Sequence, residues 1–173
     1  MAIIPDTKDW TWVLQQPCAD CGFDPTAVEW ADLPGRLLAA ATSVGAALGR
    51  PGARGRPDPS TWSVLEYGAH VRDVCGVMAE RLQLLLTHDD PEYANWDQDA
   101  TAVAERYAEQ DPGRVGEELD AAAERLAGSF AAVRGDAWER PGRRSNGSVF
   151  TTWTLGVYAL HDLEHHVWDV TRA

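Results

Sequence analysis

The stretch that decides the fold is residues 60–87, STWSVLEYGAHVRDVCGVMAERLQLLLT. Its apolar side chains recur at helical spacing, at Trp62, Leu65, Ala69, Val74, Val77 and Leu85. This spacing places them on one side of an amphipathic helix. The sequence therefore predicts a long helix that begins with Ser60 as its N-cap and ends at the turn residues 88–91, HDDP.

Three other segments show the same helical period. One covers 32–48, with Asp32 as its N-cap, and another covers residues 112 to about 134. The last helix begins after a Ser148 cap and continues nearly to the C-terminus. Because no segment shows the sustained alternation of a β-strand, the sequence predicts an all-α fold.

The connection between the second and third helices is long and polar. It covers about residues 88–111 and includes a predicted helical turn near 100–110. Four helices with one long crossover at this place predict a four-helix bundle with up-down-down-up topology. Residues 1–31 show no clean periodicity, so we interpret them as an irregular arm laid over a single domain at 32–173.

Length and charge exclude several classes of protein. The chain has 173 residues and a formal net charge of −12. Because a phosphate-backbone binder needs clustered positive charge, no nucleic-acid partner is expected. No apolar run approaches the roughly 20 residues of a membrane span, and the first residues lack the pattern of a signal peptide, so we expect a cytoplasmic protein without a membrane partner. Three cysteines do not make a disulfide framework, and aromatic residues in the arm suggest a homodimer.

The histidines form the clearest chemical pattern. His161 and His165 lie four residues apart in the last helix, so both imidazoles lie on one face. His70 lies roughly 15 Å from the start of its helix, and His161 and His165 lie roughly 15 and 9 Å from the end of theirs. If these helices run antiparallel, the three imidazoles meet and form a metal site with an open position, which is typical of a catalytic ion. The competing interpretation is a set of interior histidines without a metal.

Two cysteines, Cys18 and Cys21, form a CxxC pair in the arm. A zinc site would need two further ligands, and a thioredoxin-like motif would need a βαβ context that the sequence lacks. We therefore favour the interpretation that the two cysteines share no role. A separate metal site or a response to oxidation stays open as an alternative.

Charged residues near the three histidines are candidates for further roles. Glu66 and Glu164 are candidate general bases. Arg50, Arg54 and Arg56 lie in a loop at the same end of the predicted bundle as the histidines. We interpret these three arginines as candidates for holding an anionic cofactor or substrate.

Two stretches resemble the DinB/YfiT-like superfamily of four-helix metalloproteins. Residues 62–73, WSVLEYGAHVRD, are similar to the second-helix signature of that family. Residues 158–166, YALHDLEHH, are similar to its last-helix HxxxH motif. The resemblance covers about residues 30–170 and implies an up-down-down-up bundle.

The same resemblance implies a divalent metal ion, most often zinc or nickel with iron also considered, held by His70, His161 and His165. Characterised relatives include S-transferases of low-molecular-weight thiols such as bacillithiol and mycothiol. We therefore expect a metal-dependent enzyme that conjugates a mycothiol-like thiol to a small electrophile. Two alternatives are a metal-dependent hydrolase on the same three histidines and a bundle that binds a metal or small molecule without turnover.

Overall fold

Helices make up most of the chain in the computed structural model, which describes residues 9–172. These residues form five α-helices: α1 (Leu33–Leu48), α2 (Val64–Thr87), α3 (Gln98–Ala104), α4 (Pro112–Ala131) and α5 (Thr152–Arg172). A small sheet contains β1 (Glu92–Tyr93), β2 (Pro141–Arg144) and β3 (Val149–Thr151). Short 3-10 turns occur in the arm and in the connections, at Trp10–Leu14, Pro25–Ala27, Tyr107–Glu109 and Gly135–Glu139.

The long helix α2 begins three residues later than predicted. Its N-cap is Ser63, whose hydroxyl accepts a hydrogen bond from the backbone N–H of Glu66, while the Glu66 carboxylate accepts one from the backbone N–H of Ser63. This reciprocal pair is a capping box, which satisfies two N–H groups at the helix end. The predicted N-cap, Ser60, is wrong because Asp58 instead binds the backbone and hydroxyl of Ser60 in a separate turn.

The end of the bundle beyond α2 is closed by the small sheet, which the sequence analysis did not predict. β1 follows α2 and pairs with β2 in parallel, while β3 pairs antiparallel with β2 and leads directly into α5. The expected Ser148 cap of the last helix is therefore wrong, since β3 lies between Ser148 and α5. Strands of two to four residues are too short to show alternation in the sequence.

One apolar side chain shows where the helices meet. A Cβ added at Gly68, near the start of α2, would lie 2.7 Å from Leu48 at the end of α1. A Cβ added at Gly116, near the start of α4, would lie 3.7 Å from the same leucine. Both α2 and α4 therefore begin at the end of the bundle where α1 finishes.

Helix α5 finishes at this same end. The guanidinium of Arg50, just after α1, donates a hydrogen bond to the carbonyl of Val170 in the last turn of α5. Since α1 and α5 finish together where α2 and α4 begin, the wiring is up-down-down-up. The predicted bundle topology is confirmed, with α4 and α5 each packed against both α1 and α2.

The arm contributes to the core. Val13, Cys18, Phe23 and Val28 are buried, and the last three belong to one apolar cluster with the helices. The boundary after residue 31 stays a prediction. None of the helices within residues 9–172 combines the length and the hydropathy of a membrane span.

Candidate metal centres

Helix α5 carries two interleaved pairs of metal-ligand side chains. His161 and His165 form one i,i+4 pair, and Asp162 and His166 form a second pair offset by one residue. Because each residue turns an α-helix by about 100°, the two pairs face different neighbours. The first pair faces the arm, and the second faces α2.

The arm group joins the first pair to the two cysteines. The ligand atoms of Cys18, Cys21, His161 and His165 all lie within 4.8 Å of one another. Cys18 Sγ lies 3.7 Å from His165 Nδ1. His161 is 4% exposed, and its Nε2 is buried without a hydrogen-bond partner within the described structure. Helix α5 therefore supplies the two further ligands that a zinc site on the CxxC pair of the arm needs.

A tight loop presents both cysteines on one side. The backbone N–H of Cys18 donates to the Phe23 carbonyl at 2.8 Å, and that of Gly22 donates to the Cys18 carbonyl at 2.9 Å. Gly22 adopts φ +77°, a left-handed backbone conformation that favours glycine because residues with a side chain are strained in it. Burial raises the pKa of the Cys21 thiol to about 11.

The second group lies between α2 and α5 and contains His70, Asp162 and His166. Asp162 Oδ1 lies 3.6 Å from His70 Nε2 and 3.2 Å from His166 Nε2. On the other side of the ring, His166 Nδ1 lies 2.8 Å from Asp169 Oδ2. The predicted trio of His70, His161 and His165 is thus divided between two neighbouring groups, and its role as one set of ligands stays a prediction.

Burial and charge set the protonation of this second group. His70 is fully buried, and burial lowers its pKa. Burial acts in the same direction on His166, but hydrogen bonds to Asp162 and Asp169 outweigh it and raise the pKa of His166 to about 9. Burial would raise the pKa of Asp162, yet His166 and His70 hold it well below its usual range.

Aromatic rings fix the orientation of His70. The Trp96 ring stacks on the imidazole with 5.5 Å between centroids and an interplanar angle of 2°. Trp62 lies on another side, with 5.2 Å between centroids. Both His70 nitrogens are buried without a hydrogen-bond partner among residues 9–172, which is a costly state for a polar group in a core.

This donor set fits a divalent ion. A tetrahedral ion with bonds of about 2.1 Å holds its ligand atoms about 3.4 Å apart. The two separations around Asp162 in the structure, 3.2 and 3.6 Å, bracket that value. Asp169 would hold the His166 ring in place by accepting a hydrogen bond from its Nδ1–H, as a carboxylate commonly does for a metal-bound histidine. Two imidazoles and one carboxylate leave a further position for water or substrate.

A cavity of about 270 Å³ opens beside both groups. Its walls contain three histidines, four aromatic side chains and three carboxylates: His161, His165, His166, Trp10, Trp62, Tyr67, Tyr158, Asp99, Asp162 and Asp169. No arginine or lysine of the described part of the chain lines it. The pocket is therefore aromatic and acidic.

The two predicted general bases lie outside the walls of this cavity. The Glu66 carboxylate accepts hydrogen bonds from Arg56 and from the backbone and hydroxyl of Ser63. The Glu164 carboxylate accepts two hydrogen bonds of 2.9 Å from Arg36. Both carboxylates thus stabilise the fold through ion pairs, and their catalytic role stays a prediction.

The three predicted anion-binding arginines also have partners within the protein. Arg50 donates to the carbonyl of Val170, and Arg54 donates to the carbonyl of Gln110. Arg56 pairs with Glu66. None of the three lines the cavity, and their role in holding an anionic ligand likewise stays a prediction.

Comparison with known proteins gives a consistent picture. A family model described as the DinB superfamily matches residues 23–170. Among solved structures, YfiT from Bacillus subtilis matches with a TM-score of 0.76 and 17% identity over 87% of this chain and 90% of that chain. YfiT is described as a probable metal-dependent hydrolase with an unusual four-helix bundle topology. No curated protein matches this sequence.

Proposed function

The chain belongs to the DinB superfamily, and we propose that it is a metal-dependent thiol S-transferase whose ion is held by His70, Asp162 and His166. The substrates would be a low-molecular-weight, mycothiol-like thiol and a small electrophile. The observation that carries this proposal is an open set of three ligands, His70 buried and Asp162 and His166 partly buried, beside an aromatic cavity. A divalent ion bound there lowers the pKa of a thiol or a water molecule that binds to it.

The side chains around the ligands have positioning roles. Asp169 holds the His166 ring through its Nδ1 proton, and Trp96 clamps the His70 ring. Tyr67 and Tyr158 line the cavity, and burial raises the pKa of each phenol. Both hydroxyls therefore stay protonated at neutral pH and are able to donate hydrogen bonds to a substrate.

The chemistry of the cavity walls favours a neutral thiol. Aromatic rings provide apolar surface, while Asp99 and the other carboxylates accept hydrogen bonds from hydroxyl groups. Since three carboxylates and no arginine or lysine of the described residues line the cavity, a thiol with additional carboxylates would meet repulsion there. A neutral thiol rich in hydroxyl groups, such as a mycothiol-like compound, is favoured over an anionic one.

A second candidate is hydrolysis at the same centre. YfiT, which shares the fold, is described as a probable metal-dependent hydrolase. Asp99 lines the cavity and is a carboxylate that would act as a base toward bound water. This donor set of two imidazoles and a carboxylate accepts zinc, nickel or iron.

The test is a screen of untagged protein loaded separately with zinc, nickel and iron. Each form is incubated with thiols of different charge and a panel of electrophiles, and with esters and amides in the absence of thiol. We expect turnover that requires both the metal and a neutral thiol. Turnover without thiol would support hydrolysis, and ligand binding without any product would support a protein that only binds.

Two variants identify the ligands. His70→Ala should lose one metal equivalent and the activity, because His70 supplies a buried ligand atom. The matched control is His88→Ala, which removes an exposed histidine at the far end of α2 and should change neither. Asp162→Asn should behave like His70→Ala.

Unchanged activity in both His70→Ala and Asp162→Asn would contradict the proposal. Loss of all metal in His161→Ala as well as in His70→Ala would favour the trio of His70, His161 and His165.

A further inference from the structure

We propose that Cys18, Cys21, His161 and His165 form a second and separate metal site, which binds zinc and fastens the N-terminal arm to α5. This site is independent of the proposed reaction, because it shares no ligand with His70, Asp162 and His166.

The ligand types indicate zinc in a closed site. Two thiolates and two imidazoles complete a tetrahedral set, which is the composition of structural zinc sites. The open centre on α2 and α5 has only three ligands, so the two groups have different chemistry. A closed set leaves no position for a substrate, and the expected role of the ion is to hold the arm in place.

The observed distances fit this ion. Zinc with bonds of about 2.3 Å to sulfur and about 2.05 Å to nitrogen holds a sulfur and a nitrogen about 3.6 Å apart in tetrahedral geometry. Cys18 Sγ and His165 Nδ1 are 3.7 Å apart. All four ligand atoms lie within 4.8 Å of one another, so one ion reaches all of them with small shifts.

Burial supplies an independent observation. His161 is only 4% exposed, and its Nε2 is buried without a hydrogen-bond partner in the described structure. Cys18 is 1% exposed. An ion would satisfy the orphaned imidazole nitrogen, and such nitrogens are otherwise paired in protein interiors.

The loop that carries the cysteines is shaped to present them together. Its backbone hydrogen bonds join Cys18 to Phe23 and Gly22 to Cys18, and Gly22 has the left-handed conformation that allows the tight turn. The Phe23 ring packs edge-on against the His161 ring, with 5.2 Å between centroids. The loop is therefore fixed against α5 at the place where its thiols meet the two imidazoles.

The test compares metal binding by wild type, Cys18→Ser, Cys21→Ser and the double variant, all without a histidine tag. Wild type should retain a zinc equivalent that both single variants and the double variant lose. Cys75→Ala is the matched control, because Cys75 is buried on α2 outside the group and should leave zinc content unchanged. Hydrogen exchange of residues 9–31 should become faster in the cysteine variants and not in Cys75→Ala.

Absorption spectra of the cobalt-substituted, folded wild type identify the types of ligand that bind the ion. Cobalt bound to thiolate gives a charge-transfer band in the near ultraviolet, and a site made of histidine and carboxylate does not give it. The band should persist in His70→Ala, which separates this site from the proposed reaction centre, and it should disappear in Cys21→Ser. Because the cobalt band is measured in wild type and in single variants, it tests the inference even if the double variant fails to fold.

Two results would overturn the inference. One is wild-type protein that takes up zinc and cobalt without a thiolate band and with the same stoichiometry as the double variant. The other is a disulfide between Cys18 and Cys21 in protein purified under reducing conditions. The two thiols would then resist labelling, and stronger reduction would increase the mass by two hydrogens.

Discussion

Glu66 shows how one side chain serves several contacts at once. Its carboxylate accepts hydrogen bonds from the backbone and hydroxyl of Ser63, which begins α2, and from Arg56 in the preceding loop. The Glu66 side chain is 4% exposed, whereas that of Arg56 is 32% exposed. A buried carboxylate with these partners stabilises the start of the helix and orders the loop.

Replacing this carboxylate should therefore weaken the fold. Glu66→Gln should lower the free energy of unfolding by about 1–3 kcal/mol, because it leaves the Arg56 charge without its partner and weakens the helix cap. The matched control is Glu109→Gln, which makes the same change in an exposed pair with Arg106 and should shift stability by less than about 0.5 kcal/mol. Denaturant unfolding at pH 7 in the presence of a chelator measures both.

The same variant tests the pH dependence of this contact. Burial alone would raise the pKa of Glu66, but hydrogen bonds from Arg56 and Ser63 lower it below its usual value. A carboxyl with a lowered folded-state pKa stabilises the protein above its unfolded pKa of about 4.3, and this stability is lost as the pH falls through the folded value. The difference between wild type and Glu66→Gln should thus be largest near pH 7 and shrink below about pH 4.3. A constant difference would contradict the assignment.

At the scale of elements, helical periodicity and the long crossover predicted the four-helix bundle and its topology. The rotation of α5 about its own axis was not predictable. Both 161/165 and 162/166 are spaced by four, so each pair lies on one face of the helix. The sequence alone does not tell which face meets α2, since a turn of one residue exchanges the pairs. In the structure His70 lies with Asp162 and His166, and the ligand set of His70, His161 and His165 stays a prediction.

The position of the arm could not be predicted from helical periodicity. Cys18 and Cys21 lack a regular pattern that would place them over α5, and only their path in three dimensions brings them to His161 and His165. A signal was present in the sequence, because the chain contains two cysteines and two histidines with ligand spacing. Combining two pairs that are separated by more than a hundred residues requires the fold.

The close approach of α5 to its neighbours gives an element-scale prediction. A Cβ added at Gly156 would lie 2.6 Å from Leu33 of α1 and 3.0 Å from Phe130 of α4. Gly156→Ala should therefore lower the free energy of unfolding by about 1–3 kcal/mol through overpacking, although alanine favours helix. Gly128→Ala in α4 is the control, since nothing lies within 4 Å of the added Cβ, and it should raise stability by up to about 1 kcal/mol. Thermal and denaturant unfolding distinguish the two, and equal stabilisation would contradict the packing.

At the scale of the whole molecule, the arm and the bundle share one core. Trp12 and Phe23 of the arm pack against the same cluster that α1, α2, α4 and α5 enclose. Arg36 adds a two-point ion pair from α1 to Glu164 of α5. The stability of the arm and that of the bundle should therefore be coupled.

Zinc should consequently stabilise the molecule as a unit. Free zinc at 100 times the dissociation constant of a site adds about 2.7 kcal/mol to the free energy of unfolding. For a domain of this size, that stabilisation corresponds to a rise of about 5–11 °C in the unfolding temperature. Differential scanning calorimetry should show such a rise for wild type, and a chelator should reverse it. The double cysteine variant should keep only the part that belongs to the centre on α2 and α5.

The long separation between the two halves of the arm site has a consequence for the timing of biosynthesis. Cys18 and His165 are 147 positions apart in the chain. A ribosome adds about 5–20 residues per second, so the cysteines emerge about 7–30 s before the histidines of α5. During this interval the nascent chain exposes two thiols to competing metals and oxidants. Docking of the arm thus has to wait for α5, and the thiols have to stay reduced until this helix leaves the ribosome.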